Sequence, residues 1–180
     1  MSDKEVMLDI ETLSTRPNAV ITVIGAVKFS RKGNLQPLEQ LETFYKRVNI
    51  QSCLSVGLRI DKNSLEWWNQ QDDNVKYESI ENPDRVPLIE ALNEFKTWFG
   101  KCEKIWGNGD DFDCTILGEA YTRANIEIPW KFWNTRDVRT LFDLGGVKKC
   151  DLPTNDEHHA LHDCYRQIVG VKRAFKNLGL

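Results

Sequence analysis

Residues 5–29, EVMLDIETLSTRPNAVITVIGAVKF, contain two predicted strands with different apolar patterns, and these two strands specify the centre of a sheet. Within Glu5–Glu11, apolar residues alternate with a face that carries two acids, which is typical of a β-strand. Ala19–Phe29 is almost entirely apolar and rich in β-branched residues, as expected of a central strand covered on both faces. A third strand is predicted over Leu41–Val48, and three strands in succession indicate an antiparallel meander.

Helices and short strands alternate in the remainder of the chain. Apolar spacing and capping residues predict helices over Ser64–Gln70, Leu88–Phe99, Phe112–Ala124, 137–144 and Glu157–Leu178. Short strands are predicted over Lys104–Trp106 and Phe132–Thr135, whereas the polar segment Gln71–Pro87, which holds two prolines, is predicted to be a flexible loop. Thr154 and Glu157 form the pattern of a capping box ahead of the last helix.

This order of elements predicts one α/β domain over residues 1–180. We expect a mixed five-stranded sheet of order 3-2-1-4-5, flanked by helices, with strand 2 antiparallel to the central strand 1. The 180 residues are 41% apolar and 28% charged, which is enough for a sizeable core and argues against wholesale disorder.

The charge balance and the cysteines exclude several classes of protein. A formal net charge of −3, from 27 acids and 24 bases, argues against a polycation that binds nucleic acid by charge alone. The chain opens on charged residues, and its longest apolar stretch, around Val20–Val27, is too short to span a bilayer. We therefore expect a soluble cytoplasmic protein with no membrane partner. The five cysteines include no Cys-x-x-Cys pair, so free thiols are expected and neither a disulfide framework nor a zinc ribbon is.

Two acids stand where burial disfavours them. Asp9 and Glu11 lie two residues apart on the first strand, so their side chains point to the same face. Two carboxylates on a half-buried face repel each other, and they require either a cation between them or a raised pKa. The alternative is that residues 9–12 simply leave the strand into solvent.

A third acid, Asp113, begins a predicted helix on its apolar side, because apolar residues follow it at +3, +4, +7 and +11. The positive end of the helix dipole stabilises an anion there by about 0.3–1 kcal/mol. The alternative is an ordinary acid in the first turn, sharing a capping role with Asp110 and Asp111.

All three histidines lie within the short segment His158-His159-Ala160-Leu161-His162-Asp163. His158 and His162 have the i, i+4 spacing of zinc ligands on a helix, but the glutamate of the His-Glu-x-x-His pattern is replaced by His159. The segments together offer four carboxylates and a histidine, a hard-oxygen set that suits Mg²⁺ or Mn²⁺. Two such ions about 4 Å apart stabilise the attacking and leaving oxygens in phosphodiester cleavage.

The sequence resembles the DEDD superfamily of 3′→5′ exonucleases, which have a ribonuclease H-like fold. The matching segments, in the order of the family, are Asp9-Ile10-Glu11-Thr12, Gly107-Asn108-Gly109-Asp110-Asp111-Phe112-Asp113 and His158-x-Ala160-x-x-Asp163. The last segment is the mark of the histidine subgroup, called DEDDh. The resemblance covers residues 5–175, and the Gly-Asn-Gly-x-x-Phe-Asp segment with Trp67-Trp68 is similar to a small bacterial and phage branch that includes exoribonucleases and exodeoxyribonucleases.

The resemblance implies a catalytic role for five residues. Asp9, Glu11 and Asp163 would hold the metal ion that activates water, and Asp9 would also contact a second ion at the leaving oxygen. Asp113 would complete the site, partly through water. His158, five residues before Asp163, would be the general base, and imidazole is suited to proton transfer near neutral pH. His159 and His162 remain rivals for that role. The expected cofactors are two divalent cations, Mg²⁺ or Mn²⁺.

Five further residues are predicted to bind substrate: Thr12, Leu13, Asn108, Trp68 and Arg136. The resemblance implies that Thr12 and Leu13 contact the terminal nucleotide, although Leu13 is equally suited to the core. One tryptophan of the Trp67-Trp68 pair could stack on a base, with packing over the edge of the core as its alternative. Asn108 and Arg136 are candidate phosphate contacts, or else serve a turn and a salt bridge.

The expected function is metal-dependent 3′→5′ hydrolysis of single-stranded or short RNA or DNA, with release of nucleoside 5′-monophosphates. The alternatives are an inactive module that binds nucleic acid or another partner, and a ribonuclease H-type endonuclease. Nucleic acid is the expected partner, and a homodimer is plausible for a small enzyme with exposed aromatic residues. Bound metal ions would compensate the net negative charge of the chain. Substrate binding is therefore expected to depend on metal more than on a broad basic surface.

Overall fold

A computed structural model describes residues 4–109, 111–153 and 158–180 of the chain. Its mixed sheet has the order β3-β2-β1-β4-β5, which confirms the predicted order 3-2-1-4-5. The strands are β1 (Glu5–Thr12), β2 (Ile21–Phe29), β3 (Glu42–Arg47), β4 (Ile105–Gly107) and β5 (Thr135–Asp137). β2 is antiparallel to β1 and β3, and the short strands β4 and β5 run parallel to β1. The catalytic candidates Asp9 and Glu11 thus lie on the central strand.

Seven helices surround the sheet in the described residues. They are α1 (Ile50–Ser55), α2 (Lys62–Asn69), α3 (Asp73–Lys76), α4 (Leu88–Phe99), α5 (Asp113–Arg123), α6 (Val138–Leu144) and α7 (Ala160–Asn177). The side chains of Asp61 and Asp137 cap α2 and α6 by accepting backbone N–H groups, and Gly100 ends α4 with a φ of 58°. No helix in the described ranges is long and apolar enough to cross a membrane.

The prediction of a flexible loop over Gln71–Pro87 is wrong, because this segment contains α3 and a π-helical turn over Tyr77–Glu81. Long-range contacts of Glu78 stabilise the turn. Its Oε1 atom accepts hydrogen bonds of 2.5 Å from the Tyr45 hydroxyl and from the Arg47 guanidinium, both on β3. Local polarity and prolines cannot reveal a segment that is ordered by contacts with a distant strand.

Most other predicted strands and α-helices differ from the observed ones by one or two residues at their ends, and three differences are larger. α1 was not predicted, and the Asn49 side chain caps it by accepting the N–H of Ser52 at 2.9 Å. Residues Phe132–Asn134 form a 3₁₀ turn, so the fifth strand begins only where Thr135 pairs with Ile105 of β4. α7 begins at Ala160 instead of Glu157, because the preceding His158 has a φ of 66° that a helix cannot accommodate. The predicted capping box of Thr154 and Glu157 lies outside the described residues.

The two faces of β1 belong to different halves of the core. Val6, Leu8 and Ile10 pack with α4 and α5 on one side of the sheet. Met7 packs with α6 and α7 on the other side, and the alternation of a strand directs Asp9 and Glu11 to that same side. The acidic pair therefore faces α7. The five cysteines are free, as predicted.

A close approach of β2 and α7 brings the start of α7 to the centre of the sheet. Gly25 pairs with Asp9 across the sheet, and a Cβ atom at Gly25 would lie 2.4 Å from the Cβ of Ala160. Only glycine leaves room for Ala160 at this crossing, so the absence of a side chain at position 25 helps to position Asp163 beside β1.

Replacing Gly25 with alanine should therefore destabilise the protein by about 1–3 kcal/mol, because the new methyl group overlaps Ala160. Thermal unfolding should show a Tm lower by about 3–10 °C. The matched control is Gly118→Ala in α5, where the nearest atom lies 3.7 Å from the added Cβ and stability should rise by up to about 1 kcal/mol. A wild-type Tm for Gly25→Ala would contradict this account of the crossing.

Candidate active site

Three carboxylates from two elements meet at the carboxyl end of β1. One oxygen atom each of Asp9, Glu11 and Asp163 lies within 4.8 Å of the others. Asp9 and Glu11 come from the same face of β1, and Asp163 comes from the first turn of α7. This is the one group of three potential metal-ligating residues within the described ranges.

A fourth carboxylate, that of Asp113, is buried against the same strand. Its Oδ1 atom accepts the backbone N–H of Ile10 at 3.1 Å, and its Oδ2 atom accepts the N–H of Asn108, also at 3.1 Å. A Cβ atom at Gly107 would lie 3.2 Å from the Asp113 Cβ, so the small residue before the turn allows this approach. Asp113 therefore ties β1, the end of β4 and the start of α5 together at the acidic cluster.

Burial raises the pKa values of Asp9, Glu11 and Asp113, and mutual repulsion adds to this effect for Asp9 and Glu11. For Asp9, loss of hydration is the larger cause, followed by the negative charges of Asp113, Glu11 and Asp163. The same two effects raise the pKa of Glu11 to about 8. Burial raises the pKa of Asp113 to about 7 although three backbone N–H groups, including those of Ile10 and Asn108, favour its charged form. Without a cation, the cluster retains protons at neutral pH.

Two side chains of α7 partly compensate the negative charge of the acids. The sequence motifs identified neither side chain. Gln167 donates an N–H from Nε2 to the Asp9 Oδ1 atom at 2.9 Å, and Arg166 forms an ion pair with Asp163. These residues follow Asp163 at +3 and +4, where a helix presents side chains to the same neighbourhood. That spacing was the available signal, and it could have identified both residues.

The three histidines of the last segment have different neighbours. His158 donates its backbone N–H to the Asp163 Oδ2 atom at 3.1 Å, and its ring meets the Trp67 ring edge-on at 5.3 Å. The His159 ring stacks on Tyr45 of β3, with ring centres 5.1 Å apart, and lies 4.6 Å from the His162 ring. The His159 carbonyl also accepts the backbone N–H of Asp163 at 3.0 Å, so what distinguishes His158 is that its N–H bonds to the Asp163 carboxylate itself.

An open cavity of about 500 Å³ adjoins Glu11 and is lined by both tryptophans of α2. Trp67 is 43% exposed, whereas Trp68 is 3% exposed and donates its indole N–H to the Thr12 carbonyl at 2.8 Å. Leu13 is buried in the core. The structure thus leaves Trp67 with the accessible ring, while Trp68 supports the end of β1.

The other two predicted substrate residues lie near the edge of the sheet that β4 and β5 form. Asn108 lines a second cavity of about 380 Å³, together with Arg139 and Gln167. The Arg136 guanidinium donates to the nearby carbonyls of Trp133 and Thr135 at 3.0 and 2.7 Å. Neither contact tests a role in substrate binding, so both roles stay predictions.

The donor set of the cluster fits divalent ions that prefer oxygen. Asp9, Glu11 and Asp163 offer carboxylate oxygens only, the chemistry that Mg²⁺ and Mn²⁺ select. A bound cation would also relieve the repulsion that raises the pKa values of Asp9 and Glu11. The residues present therefore fit a divalent metal site.

Comparison with known proteins identifies relatives of the whole chain. The model of a family described as "3'-5' exoribonuclease Rv2179c-like domain" matches residues 4–174. An exodeoxyribonuclease of Enterobacteria phage T4 is 23% identical over an alignment of 206 positions, which covers 94% of this chain and 88% of the phage protein.

Several solved structures share the fold at low sequence identity. Exonuclease I of E. coli, solved with a dA16 oligonucleotide, has a TM-score of 0.63 at 15% identity, and the match covers 97% of this chain and 41% of that one. Cell-death related nuclease 4 (CRN-4) has a TM-score of 0.59 at 16% identity, with 98% and 64% covered. The nuclease domain of 3'hExo, a DEDDh member bound to rAMP, has a TM-score of 0.57 at 12% identity, with 97% and 92% covered. These matches confirm the ribonuclease H-like fold, and the chain spans less than two thirds of the first two proteins.

The raised pKa values predict an unusual pH dependence of stability in metal-free protein. Because folded Glu11 keeps its proton up to a pKa of about 8, the folded state binds more protons than the unfolded state from about pH 4.5 upward. The free energy of unfolding should therefore fall as the pH rises from 5 to 8, by an amount equivalent to a Tm loss of about 5 °C or more.

Thermal unfolding with chelator and with Mg²⁺, at each pH, measures this dependence. Mg²⁺ should raise the Tm most at pH 8, where the cluster is most repulsive, and Glu11→Gln should flatten the metal-free profile. A metal-free Tm that rises between pH 5 and 8 would show that the cluster is not protonated in the folded state.

Proposed function

The chain belongs to the 3'-5' exoribonuclease Rv2179c-like family of exonucleases, and from this premise we propose that it hydrolyses the 3′-terminal phosphodiester of single-stranded or short RNA or DNA. The products would be nucleoside 5′-monophosphates. The observation that carries this proposal is the convergence of Asp9, Glu11 and Asp163 within 4.8 Å, with Asp113 buried beside them. Four acids in one pocket serve no purpose in a module that only binds anionic nucleic acid.

The four acids would hold two divalent ions, Mg²⁺ or Mn²⁺. When bound, such ions supply Lewis-acid stabilisation of the attacking and leaving oxygens in phosphodiester cleavage. The ligands would be Asp9, Glu11 and Asp163, with Asp9 shared between both positions and Asp113 acting partly through water. Since both Asp113 oxygens already accept backbone N–H groups, an indirect role suits this residue.

His158 would be the general base that removes a proton from the attacking water. Its backbone N–H is bonded to Asp163, and its ring contacts Trp67, which lines the cavity that borders Glu11. The left-handed φ of 66° is a conformation that side chains other than glycine rarely adopt, so the surrounding contacts hold His158 in a strained position. By contrast, the stacking of His159 on Tyr45 directs that ring toward β3.

The terminal nucleotide would occupy the cavity between Glu11 and α2. Thr12 borders this cavity, and the exposed ring of Trp67 offers a base-stacking surface worth about 1–3 kcal/mol. Trp68 would form part of the cavity wall, with its indole N–H bonded to the Thr12 carbonyl. Leu13 would act from beneath, by fixing the backbone of the strand end.

Hydrolysis of labelled oligomers tests the reaction directly. RNA and DNA oligomers carrying a 5′ label should yield a ladder that shortens from the 3′ end, and those carrying a 3′ label should release a labelled mononucleotide at once. Mg²⁺ or Mn²⁺ should support the reaction and a chelator should abolish it. Asp9→Asn should lower kcat by at least about 100-fold, because it removes a charged ligand while keeping the shape of the side chain.

The controls separate the alternatives. Internal fragments would indicate an endonuclease of the ribonuclease H type, and intact substrate with wild-type protein would indicate a binding module. Degradation that persists in Asp9→Asn would point to a contaminating nuclease. Comparison of the RNA and DNA rates then decides which sugar the enzyme prefers.

Substitution of single histidines tests the assignment of the base. His158→Gln should lower kcat by about 10²–10⁴-fold, since general-base catalysis contributes that much, while Mg²⁺ still raises the Tm. His162→Gln is the matched control and should retain most activity, because the His162 ring packs against His159. An equal loss of activity in His162→Gln would reject His158 as the base.

The single domain over residues 1–180, the cytoplasmic location and the homodimer stay predictions. Phe132 and Trp133 are the relevant residues for a dimer, as they are 82% and 61% exposed and their rings meet at 4.8 Å. Two adjacent exposed aromatic rings are more common at interfaces than on the remaining surface of a protein.

A further inference from the structure

A basic cavity lies at the end of α7 remote from the acidic cluster. Its volume is about 1260 Å³, and it is formed by the last turns of α7 and the turn that follows β2. Its described lining contains no acidic side chain and five cations: Arg31, Lys32, Lys172, Arg173 and Lys176.

Defined contacts hold this cavity together. The Lys172 ammonium donates hydrogen bonds to the carbonyls of Lys32 and Gly33 at 3.3 and 3.0 Å, which joins α7 to the turn after β2. The Arg31 guanidinium lies over the Phe175 ring at 5.0 Å. The cations are therefore arranged on a packed scaffold.

Most of this positive charge is not neutralised. Within the described ranges, Arg31 pairs with Glu5 at 2.8 Å, while Lys32, Lys172 and Lys176 form no ion pair. Like charges that are grouped without acidic partners repel one another, and they gain free energy when an anion binds between them.

A second group of cations connects this cavity to the candidate active site. The cavity of about 380 Å³ beside Asn108 is lined by Arg139, Lys149 and Arg166, with Asp143 as its acidic member. Arg173 lies between the two cavities, because it lines the larger one and donates to the Asp151 carbonyl at 2.9 Å, in the same turn as Lys149. The cations thus continue from one end of α7 to the other.

The length and direction of this row decide what it can bind. From Asp163 to Lys176 the axis of α7 rises by about 20 Å, which is longer than a single nucleotide and suits a strand of several. The row begins at Arg166, which is paired with Asp163 of the acidic cluster. If the scissile bond lies at that cluster, a strand that continues along α7 places its 5′ side on this row. Aligned phosphates on an extended single strand match aligned cations.

We propose that α7 carries a binding track for the 5′-ward phosphates of a single strand whose 3′ end lies in the catalytic site. We name it the α7 track, and its residues are Arg139, Lys149, Arg166, Arg173, Lys172, Lys176, Arg31 and Lys32. The direction of the strand rests on the proposed function. The track makes the enzyme prefer oligomers long enough to reach the end of α7.

The test uses a double variant of the α7 track, Lys32→Gln with Lys176→Gln. Both lysines are exposed, and their side chains make no hydrogen bond or ion pair in the described structure. Fluorescence anisotropy measures the Kd of a 5′-labelled single strand of about 15 nucleotides, with chelator present to prevent cleavage. Each phosphate contact contributes about 0.7 to the slope of log K against log salt. Loss of two contacts should lower that slope by about 1.4 and weaken binding by about 10–30-fold at about 0.1 M salt.

Kinetics provide the second readout. With Mg²⁺, the ratio of kcat/KM for the oligomer to kcat/KM for a dinucleotide should fall by about the same factor, because a dinucleotide cannot reach the substituted residues. The matched control is Lys101→Gln with Lys131→Gln, an equal change of charge at two exposed lysines that form no ion pair in the described residues. Lys101 follows α4 and Lys131 follows Trp130, and both α4 and Trp130 pack on the opposite side of the sheet. This control should leave the ratio and the salt slope at wild-type values.

Two results would overturn the track. One is an unchanged salt slope and Kd in the Lys32→Gln, Lys176→Gln variant, and the other is an equal effect of the control pair. Failure of the proposed function has a different signature, since the wild-type protein would then hydrolyse neither substrate while the binding measurement still reports on the track. Tighter binding of an acidic peptide than of the oligomer would assign the surface to a protein partner.

Discussion

Four carboxylates repel one another at the carboxyl end of β1, and the elements around them are arranged to tolerate that repulsion. Water would solvate Asp9, Glu11, Asp113 and Asp163 better than this pocket does, and burial raises the pKa values of the first three. The fold tolerates them because specific partners anchor three of them: a glutamine at Asp9, two backbone N–H groups at Asp113, and an arginine at Asp163. These partners orient the acids but do not neutralise all of their negative charge. A bound cation would therefore stabilise the folded protein further.

The topology of the sheet explains why these acids can meet at all. β1 is central, and Asp9 and Glu11 lie near its carboxyl end. α5 begins with Asp113 and the first turn of α7 contains Asp163, so the positive ends of two helix dipoles are directed at the same pocket. Gly25 allows α7 to approach closely enough for this arrangement. The acids of the site are therefore supplied by a strand and by the first turns of two helices, and not by a loop.

Most of this framework is predictable from the sequence because its signals are local and periodic. Alternation in β1 and the apolar run of β2 require a sheet, and the position of Asp113 on the apolar face of its helix indicates a buried acid. The failures are at positions where distant contacts decide the conformation. Glu78 orders a polar segment by binding β3, and the left-handed backbone of His158 delays the start of α7. Neither effect leaves a periodic trace in the chain.

The distribution of charge over the folded protein changes how the net charge of −3 is interpreted. A net charge of −3 argues against a nucleic-acid partner only if acids and bases are mixed evenly over the surface. In the folded chain, acids concentrate at the carboxyl end of β1, while bases follow α7 away from it. These two regions would act on the same polyanion in different ways. The acids attract phosphate only through a divalent cation, whereas the cations of α7 attract it directly and are screened by salt. Because the acidic cluster and the cations of α7 are separate, binding of the 3′ end of a strand would depend on metal. Binding of the rest of the strand would depend on the cations of α7 and would need no metal.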